Sequence, residues 1–400
     1  MLNALVKCSK CEENFTADIA LTVCPKCEGA LLFNYDLTSI AERIPKNTLA
    51  KSKNTFWKFL DLLPLSSPKN IVSLGEPYTP VLRLSKSRSC NFKNVYIKDD
   101  GRLPTGTFKA RGMAVAVSCL KELGIKLVAM PSAGNAAAAL AAYGAKAGMG
   151  VYVFMPKDVP ESNLKECAFA DAEVYLVNGL INDAARIVKN LEQKYRWFDI
   201  STNKQPYRFE GYKAMAFEIA EQFGWDLPDG IVFPTGGGEG VIGLWKGFKE
   251  LRRLGWTEKI PRLIVVQSSG CAPFVKAYER NQSEIEEAWK NAETIAAGLR
   301  VPQPYASYLT LRAIKETEGM AVAVEDEEII SSMKILFKEG IYACPEAAST
   351  LTALERIGNE GLIHTDAKLL LYLTGSAMKY FDVIEIKKEI KILEKDVTSL

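Results

Sequence analysis

Residues 127–147 read "LVAMPSAGNAAAALAAYGAKA": a five-residue apolar run, a turn of small and hydroxyl residues, then an alanine-rich helix. The unit recurs. "VYVFMP" precedes a helix over 162–170, "EVYLV" precedes one over 182–195, and "GIVFP" runs through "TGGGEG" into the amphipathic stretch "VIGLWKGFKELRRLG". "RLIVVQSSG" and "AKLLLYLTG" are two more continuous apolar runs. A strand that is apolar along its whole length is buried on both faces, so the pattern predicts parallel sheets covered by helices on both sides. In such sheets ligands sit beyond the carboxyl ends of the strands. The loops "PSAGN", "TGGGEG", "QSSG" and "LTGSAMKY" all follow strands and are expected to face one cleft.

With 400 residues the chain is long for a single core, which predicts two compact domains. Residues 36–100 read as a connecting region with helical pieces and one strand, "NVYIKDD". There is no internal repeat and no low-complexity tract. A net charge of +2, without a basic run or an acidic tail, supports neither nucleic acid nor an anionic membrane as partner. No apolar run reaches membrane-spanning length, and the start, "MLNALVKCSKCEENF", has no secretory character. A soluble, cytoplasmic protein is expected.

One histidine, His364, is present, in what reads as a surface turn before a strand. Serine–histidine and cysteine–histidine nucleophiles would all have to converge on it, so the chemistry is expected to use another group. Of nine cysteines, Cys8, Cys11, Cys24 and Cys27 form C-x2-C-x12-C-x2-C. This spacing predicts a closed, structural Zn2+ site of four thiolates in a zinc-ribbon-like module over 1–35. A disulfide pair is the alternative, disfavoured in a reducing compartment. Cys90, Cys119, Cys167, Cys271 and Cys344 read as small buried hydrophobes.

"TGGGEG" (235–240) joins a strand to a helix, and its glycines let backbone N–H groups at the helix start cradle a phosphate. It matches neither the Walker nor the dinucleotide pattern, so a single phosphate group is expected rather than a nucleotide. Ser132 reads as a helix N-cap, and the Asn135 amide could donate to a ring hydroxyl or a carboxylate. Thr374 follows a buried strand and could bond a ligand nitrogen or simply satisfy the strand end. Lys109 sits in "LPTGTFKARG" among small and hydroxyl residues. An amine, an amide and a phosphate cradle are together what pyridoxal 5'-phosphate requires.

The motifs "LPTGTFKARG", "PSAGNAAAA", "PTGGGEG" and "LTGSAMKY", in this order along the chain, resemble the tryptophan synthase β-like superfamily (fold type II) of pyridoxal-phosphate enzymes, a resemblance that runs over about 75–380. Within it, "NKQPYRFEGYKAMAFEIAEQFGW" and the cysteine-rich start are similar to the threonine synthase family. The resemblance implies two doubly wound three-layer α/β domains with the cofactor in the cleft between them. The large domain would comprise 36–111 and 206–400, the smaller one 112–205. It implies that Lys109 carries the cofactor and later shuttles protons. Phe108 packs near the ring, Asn135 bonds its phenolic oxygen, and Thr374 meets its nitrogen. The backbone of Gly236, Gly237, Gly238, Glu239 and Gly240 holds its phosphate. Ser132 and Asn135 would contact the substrate, and Arg208 would hold a phosphate leaving group. A homodimer is common in this family.

The implied activity is that of a lyase of threonine biosynthesis, converting O-phospho-L-homoserine and water to L-threonine and phosphate. Three positions depart from the family's usual residues: Ala110 replaces aspartate, Ala136 replaces threonine and Ser376 replaces histidine. They concern the substrate side and leave other readings open. One is β-replacement on O-phosphoserine, as in cysteate synthase. Others are threonine or serine deamination, and a catalytically idle, ligand-binding regulatory protein.

Overall fold

The computed structural model describes residues 4–46, 55–85, 92–132 and 134–384; Cys90 lies outside them. Strands β1 (Ala4–Cys8), β2 (Asn14–Thr16) and β3 (Leu31–Tyr35) form a small antiparallel sheet in the order β2-β1-β3. Further along follow β4 (Val81–Arg83), β5 (Asn94–Asp99), β6 (Leu127–Pro131), β7 (Gly150–Pro156), β8 (Glu173–Val177) and β9 (Phe198–Asp199). The last four are β10 (Gly230–Pro234), β11 (Arg262–Ser268), β12 (Met320–Val324) and β13 (Lys368–Leu373). They build two sheets. One has six strands in the order β12-β11-β10-β13-β5-β4, parallel except for β4; the other has four parallel strands, β8-β7-β6-β9. The continuous apolar runs are therefore the parallel strands expected of them. β10 is buried at every residue, and β13 at every residue after Lys368.

Helices over Glu161–Phe169 and Ile181–Tyr195 lie within one residue of the periodicity-based limits. The exposed His364 sits in the turn before β13, as its surroundings predict. Cys119, Cys167, Cys271 and Cys344 are buried thiols. No helix of the described residues is long and apolar enough to cross a membrane.

The helix Tyr207–Gln222 is buried on all sides over its first 14 residues, although it carries Arg208, Glu210, Lys213 and Glu218. Close approach of its neighbours requires glycines. A Cβ on Gly211 would lie 2.1 Å from the carbonyl oxygen of Arg111, and one on Gly243 would lie 2.4 Å from Tyr212. Every buried charge on this helix must find a partner. Glu218 takes both terminal nitrogens of Arg111, at 2.6 and 2.9 Å, and Lys98 Nζ at 2.6 Å. Asp100 completes a fork on Arg111 at 2.7 and 2.8 Å and accepts the Tyr372 hydroxyl at 2.5 Å. Burial alone would raise the Asp100 and Glu218 carboxyls; the Arg111 guanidinium between them outweighs it and holds both below the usual carboxylate range. The network ties β5, β13, the buried helix and the helix Lys109–Glu122 into one block.

Replacing one member of a buried charged network strands its partners. Arg111→Met is expected to lower stability by about 3–5 kcal/mol, measured as a fall in the urea midpoint. A shift of only a few tenths of a kcal/mol would mean that water solvates Asp100 and Glu218.

Candidate active site

Lys109 opens its helix two residues before Arg111, so the buried network fixes the helix start and with it the origin of the lysine side chain. The preceding loop is stapled to the end of β13. Phe108 N donates to the Thr374 carbonyl at 2.8 Å, Thr107 bridges Gly375, and Ser376 N donates to the Gly106 carbonyl at 2.9 Å. Thr105 is held at φ +64°, a left-handed conformation costly for a β-branched residue, by about 1–3 kcal/mol. Two segments 265 positions apart, Lys109 and Thr374, thus meet through backbone hydrogen bonds.

The Lys109 amine lies 4.3 Å from the centroid of the Phe108 ring and 5.6 Å from that of Tyr212. Removal from water pulls its pKa down to about 8. The Glu239 carboxylate opposes this shift, the Arg208 guanidinium adds to it, and Glu346 opposes it again. A free lysine holds its proton up to about 10.4, so this amine is available as a base or nucleophile far nearer neutrality.

A cavity of about 610 Å³ opens beside it. Its floor is made by loops leaving the carboxyl ends of β6, β10 and β13, one from the four-stranded sheet and two from the six-stranded sheet. The fourth loop expected there, "QSSG" after β11, is elsewhere: Ser268 donates to Asp326 and Ser269 to Glu325 at the start of the helix Asp326–Lys338. Its hydroxyls serve packing between elements, and it does not line the cavity.

The glycine loop after β10 has the form its sequence predicts. Gly238 takes φ +83°, a Cβ on Gly236 would lie 2.2 Å from the Gly298 carbonyl, and one on Gly240 would lie 2.5 Å from Phe233. Among the described residues no protein acceptor takes the N–H groups of Gly236 through Gly240, which crown the helix Glu239–Arg253 at the cavity. Unpaired donors at a helix start favour an anion. Asn135 begins the helix Asn135–Ala147; its Nδ2 donates to the Tyr380 hydroxyl at 2.7 Å while its buried Oδ1 has no partner in the protein. The N-cap of that helix is Gly134, not Ser132 as expected, because the turn places Ser132 two residues earlier; its Oγ still accepts from Gly134 N and Ala137 N, both at 3.2 Å. Phe108 and Thr374 line the cavity, as does Ala136; Ala110 and Ser376 do not. These orphaned polar groups and the glycine cradle fit pyridoxal phosphate: an amine for the aldehyde, five N–H groups for the phosphate, an amide for the ring oxygen.

Arg208 stands apart from the expectation that it meets a substrate. It does not line the cavity; its guanidinium donates to Glu239 Oε2 at 2.5 Å and to the Ile200 carbonyl at 3.1 Å. A fully buried guanidinium demands a carboxylate, and Glu239, one position before Gly240, supplies it. Glu346 and Tyr380 escaped the sequence reading. Glu346 Oε1 accepts from Gly298 N and from the Tyr380 hydroxyl, each at 2.7 Å, and its buried Oε2 is unpaired. The only sequence signal was a glutamate just after proline at a helix start, "CPEAAS", an ordinary pattern for a capped helix.

Far from Lys109 in sequence, the four N-terminal cysteines converge. Their sulfurs all lie within 4.8 Å of one another, with Cys8–Cys27 at 3.5 Å and Cys11–Cys24 at 3.6 Å. Lys10 N and Cys11 N point at the Cys8 sulfur from 3.4 and 3.5 Å. A Cβ on Gly29 would lie 2.9 Å from that sulfur, which explains a glycine there.

Residues 72–375 match the family described as "Pyridoxal-phosphate dependent enzyme". The chain is 35% identical to a threonine synthase of Methanocaldococcus jannaschii, over 94% of this chain and 93% of that protein. It is 33% identical to a threonine synthase of Methanosarcina acetivorans, over 99% and 97% respectively. Among solved structures its fold is similar to that of maize serine racemase, with a TM-score of 0.66 at 20% identity, covering 76% of this chain and 91% of that one. With a family match running from before β4 to the loop after β13, and with relatives this similar end to end, the chain belongs to the pyridoxal-phosphate-dependent enzymes.

Proposed function

We propose that the protein is a threonine synthase, releasing phosphate from O-phospho-L-homoserine and adding water to give L-threonine. The observation that carries this reading is full-length similarity to threonine synthases around a cavity lined by Lys109, a buried amine whose pKa is drawn down to about 8. When bound, pyridoxal phosphate supplies an aldehyde for amines and a ring that accepts electrons from the substrate carbon. Lys109 is the amine that would hold that aldehyde. Once free, it would remove the proton from the substrate Cα and, in turn, one from Cβ. Phosphate leaves Cγ, Cγ takes up a proton to become the methyl group, water adds its hydroxyl at Cβ, and the remaining protons go to Cα and the departing phosphate. The Gly236–Gly240 N–H groups would hold the cofactor phosphate, Asn135 would meet the ring oxygen, and Thr374, a neutral hydroxyl, would serve the ring nitrogen without donating a full charge. The Ser132 hydroxyl, with the neighbouring helix start, holds the substrate carboxylate.

The cysteine cluster supports a structural zinc site. A tetrahedron with zinc–sulfur bonds of about 2.3 Å has edges of about 3.8 Å, close to the observed sulfur separations. Four thiolates leave no open position, so the ion would hold the small module together rather than act on substrate.

Purified protein is expected to convert O-phospho-L-homoserine to threonine and phosphate in equal amounts. Lys109→Ala should abolish both the turnover and the cofactor's absorbance at the edge of the visible. An unchanged spectrum in the folded variant would rule out the assigned lysine; turnover of O-phosphoserine with sulfite instead would replace the substrate.

The depressed amine predicts a pH profile. Only neutral amine attacks the aldehyde, so the rate at which cofactor-free protein takes up pyridoxal phosphate should climb about tenfold per pH unit below about 8 and level off above it. A climb continuing toward 10.4, the ordinary lysine value, would show a solvated amine.

Elemental analysis of protein purified without chelator should find one zinc per chain. Cys11→Ser together with Cys27→Ser should remove it and lower the melting temperature. Metal-free wild-type protein of undiminished stability would speak for free thiols.

A further inference from the structure

Apart from Lys109, three cations line the cavity: Arg186, Lys204 and Arg300. Two are already matched. Arg186 is largely exposed and bonded to Asp183 at 2.6 Å, and Arg300 is bonded to Asp158 at 2.7 Å. Lys204 differs. Its side chain is 21% exposed, and the nearest carboxylate oxygen, Asp199 Oδ2, stands 4.0 Å away, at the outer limit of an ion pair. The other oxygen of Asp199 is occupied by the amide and hydroxyl of Ser201. The backbone before Lys204 is pinned to the glycine loop: Asn203 Nδ2 donates to the Gly237 carbonyl at 2.6 Å and Asn203 N to Glu239 Oε1 at 3.1 Å. Asn203 Oδ1 is buried without a partner. The lysine amine lies 5.4 Å from the centroid of the Tyr305 ring, and the Tyr305 hydroxyl donates to the carbonyl of Glu28, the residue after Cys27. The other knuckle, Cys8–Cys11, holds Tyr308 through Ser9 at 2.6 Å and reaches the cavity-lining Glu284 through Lys10 at 3.1 Å.

We propose that Lys204 is the specificity-determining cation of this cavity, holding the distal phosphate of a phosphorylated amino acid, with Tyr305, anchored on the cysteine knuckle, as its positioning residue. Arg208, neutralised by Glu239, leaves that task open. The inference rests on the proposed reading that the substrate carries a phosphate. It gives the N-terminal module a second consequence: its fold sets the cavity wall, and with it the affinity for an anionic substrate.

The test uses the holoenzyme, whose glycine loop is filled by the cofactor, and three variants: Lys204→Met, Lys204→Arg and Tyr305→Leu. A hydrogen-bonded charge on phosphate is worth roughly ten- to a hundredfold in affinity. Lys204→Met should raise KM for O-phospho-L-homoserine by about that factor and weaken inorganic phosphate binding, read by calorimetry, to match. Its cofactor absorbance should stay near wild type. Lys204→Arg should restore most of the loss, and Tyr305→Leu should fall between. Calorimetry separates the two readings: wild-type protein that binds phosphate through Lys204 but does not turn over phosphohomoserine would overturn the assigned reaction and keep this inference. Equal phosphate affinity in wild type and Lys204→Met, no phosphate binding by either, or loss of cofactor in the variant would overturn the inference.

Discussion

The guanidinium of Arg111, buried between Asp100 and Glu218, is the interaction on which the rest of the architecture hangs. Its members come from β5 through Lys98, the turn just after β5 through Asp100, β13 through Tyr372, the fully buried helix through Glu218, and the Lys109 helix through Arg111 itself. A network of this kind adds little stability over an apolar core, since desolvation consumes most of the Coulombic gain. Its effect is geometric. Charges that cannot be left unpaired allow one register, and that register puts Lys109 at the carboxyl ends of the parallel strands.

The same economy recurs at the cavity. Lys109 and Thr374 face one another because backbone groups of residues 106–108 pair with those of 374–376. Asn135 and Glu346 are joined through one tyrosine hydroxyl, Tyr380. The floor is therefore held by contacts within the protein, while the Lys109 amine, the loop N–H groups and the Asn135 side chain still face the cavity. Arg208 and Glu239 illustrate the opposite outcome. Each is the kind of residue a substrate could use, yet they satisfy each other.

The N-terminal module is more than an appendage. A 3-stranded sheet has too small a core to be stable alone, and two features compensate. Four sulfurs gather within 4.8 Å of one another, and Tyr35 reaches Glu210 on the buried helix at 2.5 Å. Through Glu28, Ser9 and Lys10 the module also touches segments that wall the cavity.

Local sequence carried much of this. Continuous apolar runs announced parallel strands because a strand buried on both faces has no polar alternation. The triple glycine and the paired C-x2-C motifs were legible because backbone approach and metal coordination each demand particular residues at fixed spacing. Lys109, Asn135 and Ser132 stood out beside them, and all three line the cavity. What sequence could not decide was pairing across distance. The "QSSG" loop follows a buried strand just as the others do, and only the placement of Asp326 and Glu325 turns it away. Arg208 reads as a ligand for phosphate until the fold sets Glu239 against it. Glu346, Tyr380 and Lys204 look ordinary in their own segments. Period and propensity are local properties, fixed by a residue's neighbours along the chain; whether a charge meets a partner or faces a cavity depends on elements far along the chain, and that is settled only when the core closes.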